Sequence, residues 1–351
     1  MNRIFFLVVV FSTAIVLRAQ QKPSTSENSL PQRSEAGFVP PPSVYGTENL
    51  HSLSIADSNL HPAAPLSGET DHYPEFSREL LQLQWRDGDP IDLYVIKPRG
   101  VTKPPPILYL YSYPSETDRF KDNDYCKRVT SNGYAAIGFV SALTGQRYHD
   151  RPMREWFVSE MPEATAKSVH DVQMILRYLS DRGDLDMAHI GIFATGSGAT
   201  IAILATSVAG QPRIQAVDAL QPWGDWPDWL AKSSLVPENE RASYLQPKFL
   251  ADVALVDPMQ WFGRVQAVAF RLQFVLDDPV TPAQAVQRMK LAAAGSLAQI
   301  VEYSTRHQQY EVLNGGRAFE WVKDQLRPPV VRTTASHASS EEHKSPNESN
   351  E

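Results

Sequence analysis

The stretch IGIFATGSGATIAIL, residues 190–204, constrains the fold more than any other. Residues 190–193 read as a buried strand. Gly196 and Gly198 permit a tight turn, and 199–206 read as a helix. The surrounding chain alternates in the same way. Strand-like runs at 80–85 and 91–97 flank Asp87-Gly88, a hairpin signal. Further strands are expected at 107–113, 134–140, 214–220, 272–276 and 298–303. Helices are expected at 163–180, where Val169, Val172, Leu176 and Leu179 recur at spacings of three and four, and at 282–294 and 317–325. An opening hairpin followed by alternating strands and helices predicts an α/β class, with a mostly parallel sheet carrying helices on both faces.

One segment interrupts the alternation. Residues 221–262 include QPWGDWPDWLAKSSLVPENERASYL and are too long for a plain loop, so they are expected to form an inserted lid. Trp223, Trp226 and Trp229 recur at even spacing there. They either pack the lid onto the body or wall a substrate pocket.

The ends read differently. Asn2-Arg3 followed by an apolar stretch at 4–17, with Ala19 as a small residue for cleavage, predicts a signal peptide over 1–19. Secretion or delivery to a periplasm follows, with no stable membrane insertion after cleavage. An uncleaved N-terminal membrane anchor is the alternative. Residues 20–70, rich in Pro, Ser, Asn and Gln, are expected to be a disordered linker, and 328–351 a disordered tail. The domain proper is expected over 71–327.

Charge and cysteine content narrow the function. Lys and Arg number 33 against 40 Asp and Glu, a net charge of −7 with no basic run. That excludes the footprint of a nucleic-acid binder. Cys126 is the one cysteine, so the chain has no internal disulfide and no cysteine-based zinc site. No metal or other cofactor is expected. The oligomeric state is left open.

Carbonyl-attacking serine enzymes need a nucleophile, an imidazole base, a carboxylate to orient it, and donors for the oxyanion. FVLDDPVTP, 274–282, follows a strand directly and puts Asp278 at its end. EYSTRHQQY, 302–310, follows the next strand and puts His307 just beyond it. Together with the strand–turn–helix unit they give the order Ser, Asp, His.

On these segments the chain resembles the α/β-hydrolase superfamily, in its dienelactone-hydrolase and prolyl-oligopeptidase-like branches, over about 78–327. The resemblance implies a serine hydrolase of esters, lactones or short peptides, with Asp278 orienting His307 as general base. DVQMILRYL, 171–179, resembles the helix that precedes the nucleophile strand. Two registers stay open at the turn. Counting five residues from Gly191 puts Gly196 in the serine's place, which implies an inactive protein that binds a ligand or partner. Shifting by one makes Ser197 the nucleophile. LYLYSYPSE stands where lipases carry a glycine-rich oxyanion segment. Some relatives place a tyrosine there, which implies Tyr113, or its neighbour Tyr111, as a donor beside the Gly198 amide.

Other candidates rank below these. His149-Asp150 reads as a turn, and His170-Asp171 as part of a helix. Asp225 and Asp228 are substitute acids in the tryptophan segment. Gly196-x-Gly198 with Asp218 twenty residues on lacks the third glycine of a dinucleotide fingerprint, since Ile201 stands there.

Overall fold

The computed structural model describes residues 46–143, 147, 157–208, 210, 212–312 and 317–327. The signal peptide at 1–19, the linker up to residue 45, His149-Asp150 and the tail from 328 lie outside the described residues.

In chain order the elements are β1 (Leu66–His72), β2 (Phe76–Leu83), β3 (Ile91–Pro98), β4 (Pro106–Leu110), α1 (Asn123–Thr130), β5 (Ala135–Phe139), α2 (Phe157–Arg182), β6 (Ile190–Thr195), α3 (Ser197–Thr206) and β7 (Ile214–Leu220). Then come α4 (Trp226–Lys232), α5 (Arg241–Tyr244), α6 (Pro247–Ala254), β8 (Ala267–Val275), α7 (Ala283–Ala293), β9 (Ala298–Tyr303), α8 (Arg306–Val312) and α9 (Glu320–Leu326). They build one nine-stranded sheet in the order β1-β2-β3-β5-β4-β6-β7-β8-β9. β1, β2 and β3 are antiparallel to their neighbours, and β5 onwards run parallel. The hairpin closes with Leu83 opposite Ile91.

The central strands are buried along their whole length. β4 and β5 expose no residue, so they read as continuous apolar runs rather than alternating ones. Two apolar layers cover the faces. Ile192 and Ala194 of β6 join α2, α3 and the tryptophan segment, whereas Phe193 between them joins Tyr109, Phe120, Phe319 and Val322 on the other face.

β4 has β5 on one side and β6 on the other. The chain thus leaves the carboxyl ends of β4 and β6 in opposite directions and opens a crevice there, the usual ligand position in such sheets.

Several expectations need correction. Part of the supposed linker is structured: Leu53, Ile55 and Leu60 are buried, and β1 joins the sheet. The Gln173 side chain holds this segment by accepting from the Ile55 N–H (3.2 Å) and donating to the Leu53 carbonyl (2.7 Å). Scattered apolar residues in polar surroundings give no periodic signal, yet each fills a site on the body. α2 begins six residues before 163 and runs through Pro162. Residues 221–262 hold α4, α5 and α6 between β7 and β8.

Among the described residues no helix is long and apolar enough to cross a membrane.

Candidate functional site

β6 delivers the chain to Gly196, whose φ of 55° and ψ of −124° mark a turn that side-chain-bearing residues rarely adopt. Its N–H donates to the Leu220 carbonyl (2.9 Å), and its carbonyl accepts from the Thr200 N–H (3.2 Å), the first bond of α3. Gly196 therefore stands at the apex of the strand–turn–helix unit, with Ser197 one residue into α3. A Cβ at Gly196 would lie 2.3 Å from Ser112 Oγ and 2.7 Å from Ser112 Cβ. The Ser112 side chain, which follows β4, fills the space a nucleophile would use.

Ser197 is the first residue of α3 and is 2% exposed. Its Oγ accepts from the Tyr113 N–H (2.9 Å), and its own N–H donates to Ser112 Oγ (3.4 Å). The Ser112 N–H donates to Thr195 Oγ1 (3.2 Å). Amides that would face an oxyanion at this turn are thus engaged by hydroxyls of the protein itself. Gly198 is held for packing: a Cβ there would sit 2.2 Å from the Leu110 carbonyl oxygen. The Tyr113 ring stacks on Phe157 at 4.5 Å, outside the cavity, while Tyr111 lines it.

Asp278 follows β8, and its carboxylate is nearly buried. Oδ2 accepts from Gln221 Nε2 (2.9 Å) and from the Thr281 N–H (3.3 Å). Oδ1 lies 3.7 Å from Arg306 Nε. Arg306 opens α8, and its N–H is anchored by Asp277 Oδ1 (2.8 Å). His307 does not join them. Its side chain is 80% exposed and faces Glu311 at 3.4 Å. A residue one step further along a helix is turned by about 100°. Arg306 therefore faces the cavity and His307 faces solvent.

The crevice is a cavity of about 380 Å³. Ser112, Gly196, Trp223 and Asp278 line it from the sheet ends, with Arg306 beside Asp278. Arg119 and Arg128 line it from the segment after β4, with Tyr111, Phe193 and Phe319 making an aromatic wall. Burial pushes the Tyr111 hydroxyl up to about 12, so it stays protonated. Among the described residues no histidine lines the cavity, and no cluster of potential metal ligands occurs.

Of the three tryptophans only Trp223 reaches this cavity. Trp226 and Trp229, three apart on α4, face the body together and pack edge to face at 5.6 Å. As pocket walls they are corrected to core. The lesser candidates are structural as well. Asp225 pairs with Arg288, and Asp228 with Lys232 (2.5 Å each). Asp218 is buried against Arg271 and Gln273 (2.6 and 2.7 Å). His170 Nδ1 meets Glu48 (2.6 Å) and its Nε2 meets the Ser52 carbonyl (2.9 Å). Asp171 accepts from Trp85 Nε1 (3.0 Å) and binds Arg147 (2.6 Å) and Arg86. Sequence reasoning missed Ser112, Arg119, Arg128 and Gln221.

No protein-family model matches the sequence, and no curated protein matches it. Solved structures do match. Acetyl xylan esterase 1 from Thermoanaerobacterium sp. JW/SL YS485 superposes at a TM-score of 0.59 and 13% identity, over 75% of this chain and 88% of that one. The acetyl xylan esterase from Paenibacillus sp. R4 gives 0.59 at 15%, over 78% and 92%. The acylaminoacyl peptidase of Pyrococcus horikoshii gives 0.57 at 14%, over 73% of this chain but 42% of that enzyme. At such identities the likeness concerns the path of the chain.

Proposed function

Starting from a chain that has the α/β-hydrolase fold, we propose that it binds a small molecule in the crevice above β4 and β6 without hydrolysing it. One observation carries this reading. Gly196 stands at the turn apex, and the Ser112 side chain occupies the space beside it. Three further features support it. The Ser197 hydroxyl is already an acceptor for Tyr113, Arg306 rather than an imidazole faces Asp278, and His307 lies in solvent. A general base activates a serine from about 2.6–3.2 Å, or through one water.

The competing reading is hydrolysis of esters or short peptides through Ser197, Asp278 and His307. It draws on the esterases and the peptidase that share the fold. It asks for a rotation of α8 and release of the Ser197 hydroxyl. Export belongs to the proposal too, supported by the charged start and apolar stretch of residues 1–19. A mature N-terminus near residue 20 in the secreted protein would be its sign.

A fluorophosphonate probe and a p-nitrophenyl acetate assay test the main claim on the full chain. Background labelling and turnover are expected for wild type and Ser197→Ala alike. Labelling that disappears in Ser197→Ala would overturn it.

A further inference from the structure

Resting on that non-hydrolytic reading, we infer that the cavity selects a small carboxylate with an apolar or aromatic body. Charge is the first observation. Asp278 is the one carboxylate lining the cavity among the described residues, and Arg306 stands beside it at 3.7 Å. Arg119 and Arg128 line the same cavity, and neither has an ion pair among the described residues. The space therefore carries a positive excess that nothing within the described protein answers.

Those two guanidiniums are positioned rather than loose. Arg119 lies 4.5 Å over the Tyr111 ring, and Arg128 lies 5.7 Å from the Tyr125 ring centre. The two tyrosine hydroxyls meet at 2.5 Å. Each cation rests on an aromatic face, and the faces are tied together, which keeps both charges on one side of the cavity.

The second observation is independent of charge. Trp223 is 2% exposed and lines the cavity, and its indole N–H has no hydrogen-bond partner among the described residues. Nε1 would be 3.3 Å from a Cβ at Gly196, which places this donor over the turn apex. The donor therefore opens onto the cavity instead of being spent on the protein. A ligand oxygen lying above Gly196 would satisfy it. Phe193, Leu220, Val275 and Phe319 supply an apolar part of the lining, beside the polar Thr195, Gln221 and Gln309. That combination of an apolar wall with a few convergent donors fits a compact amphipathic anion.

Phenylacetate and its neutral counterpart phenylacetamide discriminate the claim. Their affinities are measured by calorimetry on the full chain, and Trp fluorescence gives a second readout. Phenylacetate should bind at least about tenfold tighter, the range expected for a charge-assisted hydrogen bond. The preference should shrink as ionic strength rises. Arg119→Met with Arg128→Met, both at exposed side chains, should bring the acid down to the amide. Trp223→Phe should weaken the acid without restoring the amide. Thermal melts establish that each variant is folded, and Arg119→Lys should keep most of the preference if Arg119→Met loses the fold.

Equal binding of acid and amide overturns the inference. So does a preference that survives the double arginine change, or no binding of either compound. Ser197-dependent ester turnover would instead sink the non-hydrolytic reading while leaving the acid-to-amide ratio as its own result.

Discussion

Replacing Gly196 by alanine measures how tightly the space beside the turn is filled. Two costs are expected. A φ of 55° with ψ of −124° is unfavourable for a residue with a Cβ and stores about 1–3 kcal/mol. The new Cβ also falls 2.3 Å from Ser112 Oγ and 2.7 Å from Ser112 Cβ, separations that force a shift. Overpacking of this kind adds about 1–3 kcal/mol. Gly196→Ala should therefore destabilise by about 2–6 kcal/mol. The distances also predict which second change relieves it. Ser112→Ala removes the nearer contact and leaves the 2.7 Å one, so rescue is partial. Ser112→Gly removes both and leaves the backbone strain, with Trp223 Nε1 at 3.3 Å. Urea unfolding of the four proteins of the Gly196→Ala/Ser112→Gly cycle should give a coupling of about 1–3 kcal/mol, with unchanged m-values. A Gly196→Ala cost below about 1 kcal/mol, or no coupling to Ser112, would refute the reasoning, because the space beside the turn would then be open.

Gly196→Ser alone should gain no fluorophosphonate adduct, since His307 stays in solvent; an adduct seen by mass spectrometry would mean that a base reaches the site. Tyr109 is fully buried, and its hydroxyl has no partner among the described residues; Tyr109→Phe should leave stability unchanged or raise it by about 1 kcal/mol in a urea titration. Asp171 is fully buried between Arg86 and Arg147, so Asp171→Asn should cost about 3–5 kcal/mol in the same assay. Burial pushes the Glu116 carboxyl up from 4.5 to about 7, although the Ser141 hydroxyl and N–H both donate to it. The folded state therefore holds a proton that the unfolded chain has released, and stability falls as pH rises from about 4.5 to about 7, by about 3 kcal/mol. Glu116→Gln should flatten that fall in pH-dependent melts. Glu48 and Asp171 act in the opposite sense: burial opposes their charge, but Arg86, with His170 beside Glu48 and Arg147 beside Asp171, lowers both pKa values. Their stabilisation is present above the ordinary carboxylate range and is lost on acidification below about 4.

The sheet was legible because its central strands are apolar on both faces and are separated by turn residues. The place of Asp278 on the cavity wall, though not a catalytic role, was legible because an acid directly after a buried strand has few places to go. The imidazole was not, since 302–310 carries Arg306 and His307 side by side and the choice depends on where α8 begins. A start at Arg306 turns the arginine inward. Ser112 left no pattern to read: its Oγ lies 2.3 Å from where a Cβ at Gly196 would stand, across 84 positions of chain. Arg119 and Arg128 sit on a short helical turn and on α1 among other charged residues, and only the two tyrosines beneath them reveal their direction. Trp226 and Trp229 shared a spacing with Trp223, but Trp223 precedes α4 and the other two lie on it.

The glycine at the bend has a consequence for how a guest is treated. Under the proposed non-hydrolytic reading, a molecule resting above Gly196 meets main chain and an indole and would leave in the form in which it arrived. Occupancy would then follow the surrounding concentration reversibly, and even an intrinsically fragile acyl compound would survive its stay. On that proposal the protein would hold its cargo instead of depleting it.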